Sequence, residues 1–211
     1  MRDASGNIIY CTSASSSRSP PRRACPLLHS LLCTLLLRRR HVGNMPVLLS
    51  RGGAPVVVVG SWFPFCALVT FPLVAGSVAL VTAFLVVPYA PVWVYCLYLP
   101  LAAGVLLALC GVACSNPGLV PHTPDISDEA KRAGTHVWND RVGSWRPKGS
   151  LYCGTNDVVV EKYDHFCPWT GTAIGRGNMF FFKAFVIGVN ALCYVTVFVV
   201  VYLAVFERGK S

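Results

Sequence analysis

The chain has 211 residues, of which 54% are hydrophobic and only 13% charged, against roughly 25% charged in an ordinary soluble domain. Its formal net charge of +9 does not mark a nucleic-acid binder, because eight arginines fall within the first 51 residues beside a single acidic residue, Asp3. The ten cysteines are scattered and form no CxxC pair, which argues against a disulfide framework and leaves reduced cytosolic thiols as the simplest reading.

Residues 1–51 are rich in Ser, Arg and Pro and read as a basic, disordered cytosolic tail. Its one apolar patch, Leu27–Leu37, runs into Arg38-Arg39-Arg40-His41 rather than into small residues, so it is not read as a cleaved signal core. The patch is also too short to cross a bilayer. Translation from Met45 is the alternative account of this leader. From Gly52 to Pro124 there is no Asp, Glu, Lys or Arg. Such a run predicts two crossings of about 20 residues each, at Phe65–Val87 and Val92–Cys114. Pro88-Tyr89-Ala90-Pro91 separates them, since prolines do not continue a helix. Trp93, Tyr95 and Tyr98 suit an interfacial aromatic belt beside that break. Val56–Val59 and Ser61–Phe65 read as an in-plane entry segment. Ser115-Asn116-Pro117-Gly118 ends the second crossing as a turn.

The stretch 115–180 is polar and balanced, with seven basic and seven acidic residues between Ser115 and Met179. It holds one candidate helix, Ile126–Ala133, whose first turn suits Ser127-Asp128-Glu129. A third crossing is predicted at Phe185–Phe206, within 181–206, with Asn190 bonding a neighbouring helix and a short tail, 207–211, after it. The positive-inside rule puts the Arg-rich tail and the central loop in the cytosol. The fold class expected is therefore an all-α membrane protein with three transmembrane helices. Its units are 1–51, the two spans in 52–114, a cytosolic, cysteine-depleted loop at 115–180, the third span and the tail.

Within that loop, Glu161–Asn178 reads EKYDHFCPWTGTAIGRGN. Here alone a nucleophile, a base and a carboxylate coincide: Cys167, His165 and Asp164. Only a thiolate attacks, so a nearby imidazole that takes the thiol proton activates a cysteine, and a carboxylate fixes the imidazole's tautomer. A tight turn capped by Pro168 is expected to converge the three. Pro168 and Trp169 read equally as packing residues and as the rim of a substrate entrance. Asn178 reads as the cap of the turn into the third span.

The run DHFCPW, followed by Gly175, Asn178, Phe181 and Phe182, resembles the signature of the DHHC protein S-acyltransferases, spelled here Asp164-His165-Phe166-Cys167. The likeness covers Pro55–Phe206 in layout and is specific in Arg146–Phe182; Asn116-Pro117-Gly118 nearly matches the family's Asp-Pro-Gly. It implies transfer of a palmitoyl or similar acyl group from acyl-CoA, the co-substrate, through a Cys167 acyl-enzyme to a cysteine of a substrate protein. By the same likeness His165 is the base and Asp164 its orienting carboxylate. The implied partners are acyl-CoA, proteins with membrane-proximal cysteines and the lipid bilayer, not nucleic acid. The implied place is an endomembrane such as Golgi or ER. No acyl-CoA-binding residues are singled out: Arg146, Lys148, Lys162 and Arg176 read first as a solvated face and second as phosphate contacts.

The family folds this loop around two zinc ions. At the corresponding ligand positions this chain carries Asn139, Val142, Tyr152, Asn156, Val159, Phe166 and Ala173, and only Cys153 remains. One cysteine does not make a tetrahedral site, so no metal site is predicted and zinc is not expected. Apolar bulk at Trp145, Tyr152, Val158–Val160, Tyr163, Phe166 and Trp169 is expected to pack instead. The family usually has a fourth crossing, and the chain stops after the third, as a truncated product or fragment would. The alternative function is accordingly an inactive or truncated member acting as a membrane adaptor. An unrelated three-span protein with a fortuitous DHFC is the remaining rival.

Overall fold

The computed structural model describes residues 8–12 and 40–206. Three helices are long and apolar enough to cross a membrane: α1 (Phe63–Tyr89), α2 (Val92–Cys114) and, after the short α3 (Asp128–Arg132), α4 (Met179–Phe206). The three expected crossings are thus present as helices. Two wider, π-type turns interrupt α1, at Cys66–Thr70 and Thr82–Val86. Each lies just before a proline, Pro72 or Pro88, whose ring offers no N–H and clashes with the preceding turn. The wider turn absorbs that mismatch: Phe71 N–H reaches back to the Cys66 carbonyl, and Val87 N–H to that of Thr82. The helix therefore carries on through Pro88, and the break falls at Ala90-Pro91, both extended.

The central helix of the bundle is α2. It buries Val94, Tyr98, Ala102, Val105, Leu109 and Val112, one residue every three or four. The first four pack with Val86 of α1 and Leu192, Val199 and Leu203 of α4, and Leu109 and Val112 pack with Cys66 of α1. Tyr98, expected in an interfacial belt, is instead inside the bundle, whereas Trp93 is exposed and rests on Phe198 and Tyr202. Asn190 differs as well: its amide donates to the Val186 carbonyl one turn back on its own helix, at 2.8 Å. A short amide finds that acceptor locally without a second helix.

The all-α expectation is corrected outside the spans. Strands β1 (His41–Val42), β2 (Met45–Arg51) and β3 (Ala54–Val58) form an antiparallel sheet before α1. The loop folds into three antiparallel hairpins: β4 (His136–Asn139) with β5 (Ser144–Pro147), β6 (Leu151–Cys153) with β7 (Val158–Val160), and β8 (His165–Cys167) with β9 (Thr172–Ile174). Strands of three or four residues are too short to carry a readable period, and Val158, Val159 and Val160 are all buried, so no polar alternation betrays β7. Parts of the expected disordered tail are ordered too. Residues 40–51 contribute β1 and β2, and residues 8–12 lie along the loop, where Tyr10 bridges to Pro121. The Leu27–Leu37 patch and the 207–211 tail lie outside the described residues. The candidate helix of the loop is α3, shorter than expected, with the Ser127 hydroxyl accepting from Ala130 N–H at 3.2 Å.

Candidate active site

The site is built on β8. His165 pairs opposite Ile174 and Cys167 opposite Thr172. Successive side chains of a strand point to opposite faces, so His165 and Cys167 share one face and Phe166 takes the other. Phe166 accordingly packs on the apolar cluster that holds Val58 and Ala173, and its ring meets Trp62 at 6.0 Å. Cys167, 8% exposed, lies with Cys66, Leu109, Val112, Ala113 and Ile174, where the ends of α1 and α2 meet. Strand alternation, rather than a tight turn capped by Pro168, puts His165 and Cys167 on one side. The turn comes after the cysteine: Gly171 N–H donates to the Pro168 carbonyl at 3.1 Å, and the Thr170 hydroxyl to that of Cys167 at 3.3 Å.

His165 and Asp164 form a pair, with Nδ1 3.2 Å from Asp164 Oδ2 and both side chains about half exposed. With the Nδ1 hydrogen donated to that carboxylate, Nε2 is the atom left to accept a proton. The far side of the imidazole rests on Phe182, ring centres 5.2 Å apart. Among the described residues no hydrogen bond joins His165 to Cys167. The structure therefore holds the carboxylate and imidazole together and sets the thiol on the same strand face.

Asn178, read as a helix cap, is a fully buried knot. Its Oδ1 accepts from Gly175 N–H at 2.9 Å, and its Nδ2 donates to the carbonyls of Ala173 at 2.9 Å and Val112 at 3.5 Å. One amide thus ties β9 to the end of α2 at the point where α4 begins. A second support comes from the entry to α1. Trp62 N–H donates to the Gly171 carbonyl at 3.2 Å, and Phe65 meets Trp169 at 5.8 Å. Gly171 has φ +70°, and a Cβ there would lie 2.6 Å from the Trp62 carbonyl oxygen, so only glycine fits. Trp62, Phe65 and Cys66 stand about a hundred residues before the motif, and nothing in the sequence ties them to it.

Of the cations read as a solvated face, Arg176 is paired with Glu161. Arg141, which is not among them, stacks on the Tyr152 ring at 4.5 Å. Tyr163, beside Asp164, has its hydroxyl pKa pushed up to about 12, mainly by burial and then by the Cys153 thiol against it.

The residues at the family's metal positions do not fit zinc. Val142, Tyr152 and Val159 belong to one apolar cluster, and Cys153, Phe166 and Ala173 to another. The Asn156 amide oxygen is taken by Ser61, through its hydroxyl at 2.8 Å and its N–H at 3.2 Å. Among the described residues no three His, Cys, Asp or Glu side chains gather as a metal would need.

A family model described as DHHC palmitoyltransferase matches residues 134–210. Palmitoyltransferase ZDHHC18 of Mus musculus is 35% identical over 68 residues, 32% of this chain and 18% of that protein. Palmitoyltransferase ERF2 of Kluyveromyces lactis is 30% identical over 111 residues, covering 42% of this chain and 31% of its own. Palmitoyltransferase ZDHHC18-A of Danio rerio is 25% identical over 145 residues, 54% of this chain and 31% of its own. The chain thus spans between about a fifth and a third of the length of these relatives. Three apolar helices together with these relatives make it an integral membrane protein. The segment that carries the site, residues 134–210, thus matches the DHHC palmitoyltransferases, with the signature spelled here Asp164-His165-Phe166-Cys167.

Proposed function

We propose that the chain is a protein S-acyltransferase whose nucleophile is Cys167, with His165 as base and Asp164 as its orienting carboxylate. One observation carries this reading: the thiol is buried where two apolar helices meet, while the half-exposed imidazole, held by the Asp164 carboxylate, stands on the same strand face. A fatty chain stays in hydrocarbon while its thioester meets a polar base, so a nucleophile at that boundary suits acyl-CoA. Cys167 sulfur attacks the thioester carbonyl, the bond to the CoA sulfur breaks, and the proton that His165 took from Cys167 goes to the departing CoA thiolate. The thiol of a substrate protein then attacks the Cys167 thioester by the same route and carries the acyl group away. The names of the relatives support palmitoyl as the group transferred. The clustering of arginines before the first span supports a cytosolic loop at 115–180.

The loss of donors at the family's metal positions favours a second reading, a membrane adaptor without turnover. The experiment that separates them incubates the membrane-embedded protein with labelled palmitoyl-CoA, beside Cys167→Ser. The enzyme reading expects hydroxylamine-sensitive label on the intact chain and none on the variant. Equal, background label on both leaves the adaptor.

A further inference from the structure

Six of the eight positions where the family holds metal ligands divide between two apolar clusters, and the N-terminal segment contributes to both. Val142, Tyr152 and Val159 pack with Cys11 and Val120. Cys153, Phe166 and Ala173 pack with Tyr10, Leu119, Val158 and Val160. Three short extended pieces, 8–12, 119–120 and 158–160, therefore form a layer between the clusters, and alternation along each sends its neighbouring side chains to opposite sides. A ring of three backbone hydrogen bonds closes the layer. Cys11 N–H donates to the Val120 carbonyl at 3.1 Å, Val120 N–H to Val159 at 3.0 Å, and Val159 N–H to Cys11 at 3.1 Å. His122 N–H adds a bond to the Ile9 carbonyl at 2.8 Å. The outer end is clamped by Arg40, which donates to the carbonyls of Ile8 at 2.6 Å and Gly53 at 2.8 Å. Cys11 is fully buried, its sulfur 3.2 Å from the Ser144 hydroxyl and 3.3 Å from the Pro121 carbonyl.

We propose that the hairpin loop folds without metal, its two apolar clusters standing where the family places zinc, and that residues 8–12 are a structural strand joining both. The cross-links a metal makes among hairpins are made here by carbon side chains, by the backbone ring and by the Asn156–Ser61 contact. The segment before the first span is then part of the platform that holds β8, rather than a tail.

The test reads fold and metal content and does not depend on acyl transfer. Full-length protein purified in detergent is assayed for zinc by elemental mass spectrometry and melted with and without a strong chelator. The proposal expects zinc far below one atom per chain and an unchanged melting temperature. One or two zinc atoms per chain, with a fall in melting temperature on chelation, overturn it. Hydrogen exchange then compares the intact chain with Tyr10→Asp. Faster exchange at the Val159 and His122 amides, by about tenfold or more, is expected; equal exchange overturns the strand's role. Should the variant not accumulate, maleimide reactivity of Cys11 in the intact chain decides the same point. Protection until denaturation is expected, and reaction as fast as at a water-exposed thiol overturns the strand.

Discussion

Cys167 and His165 stand two residues apart on β8, and their usefulness to one another depends on that pleat. The imidazole is oriented by Asp164 at 3.2 Å and by the edge of Phe182, which leaves Nε2 free to take a proton. Under the proposed reaction, His165→Ala removes the base and lowers the rate of enzyme labelling by about 10²–10⁴-fold. Rapid-quench measurement with labelled acyl-CoA reads this, and raising the pH partly restores the variant by supplying thiolate directly. Cys11 supplies a second residue-scale prediction. Burial raises its thiol pKa above the ordinary value of about 9, with the Ser144 hydrogen bond opposing. A pKa raised by folding means the neutral thiol is the form the fold favours. Its contribution is then fully present below about pH 9 and lost as the pH climbs through the folded-state value. Thermal melts across pH 8–11 are expected to show the loop weakening on the alkaline side, and Cys11→Ala to remove part of that slope.

Elements meet at single polar side chains in this molecule. Asn178 satisfies two carbonyls and one N–H that are otherwise buried at the junction of α2, β9 and α4. Asn178→Ala leaves those groups without partners, at a cost of about 1–3 kcal/mol for each buried group stranded. A fall in melting temperature in detergent, together with lost labelling of Cys167, checks it; an unchanged melt contradicts the junction argued here. Asn116 does similar work at the other edge, accepting from Gly118 and Leu119 N–H and donating to the Pro55 carbonyl, each at 2.9 Å. The turn at Asn116-Pro117-Gly118 and the spans were legible because proline, glycine and unbroken apolar runs act locally. The hairpins were not, because their strands are only three or four residues long, and β7 and β9 are buried throughout, which leaves no polar alternation to read.

At the scale of the whole molecule, three helices and a β-rich platform converge on one cysteine. The helices approach closely through small residues: a Cβ on Gly188 of α4 would lie 2.9 Å from Val105 of α2. Gly188→Leu is expected to push the two apart at a cost of about 1–3 kcal/mol, read as a lower melting temperature and easier proteolysis. Hydropathy and the positions of proline determined the spans, because a bilayer imposes length and composition on any segment that crosses it. The residues of the signature, Asp164, His165 and Cys167, stood out by adjacency alone. Zinc ligands missing from Asn139 to Ala173 were equally plain, since Val, Ala and Phe offer no donor atoms. Tertiary structure alone decided that five of the seven vacated positions gather into two apolar clusters, and that Tyr10 and Cys11 return to close them. It also decided that Trp62 and Phe65 brace the loop after Cys167. Those contacts join residues roughly a hundred or more apart, and no local pattern records which distant strand a short apolar strand will meet.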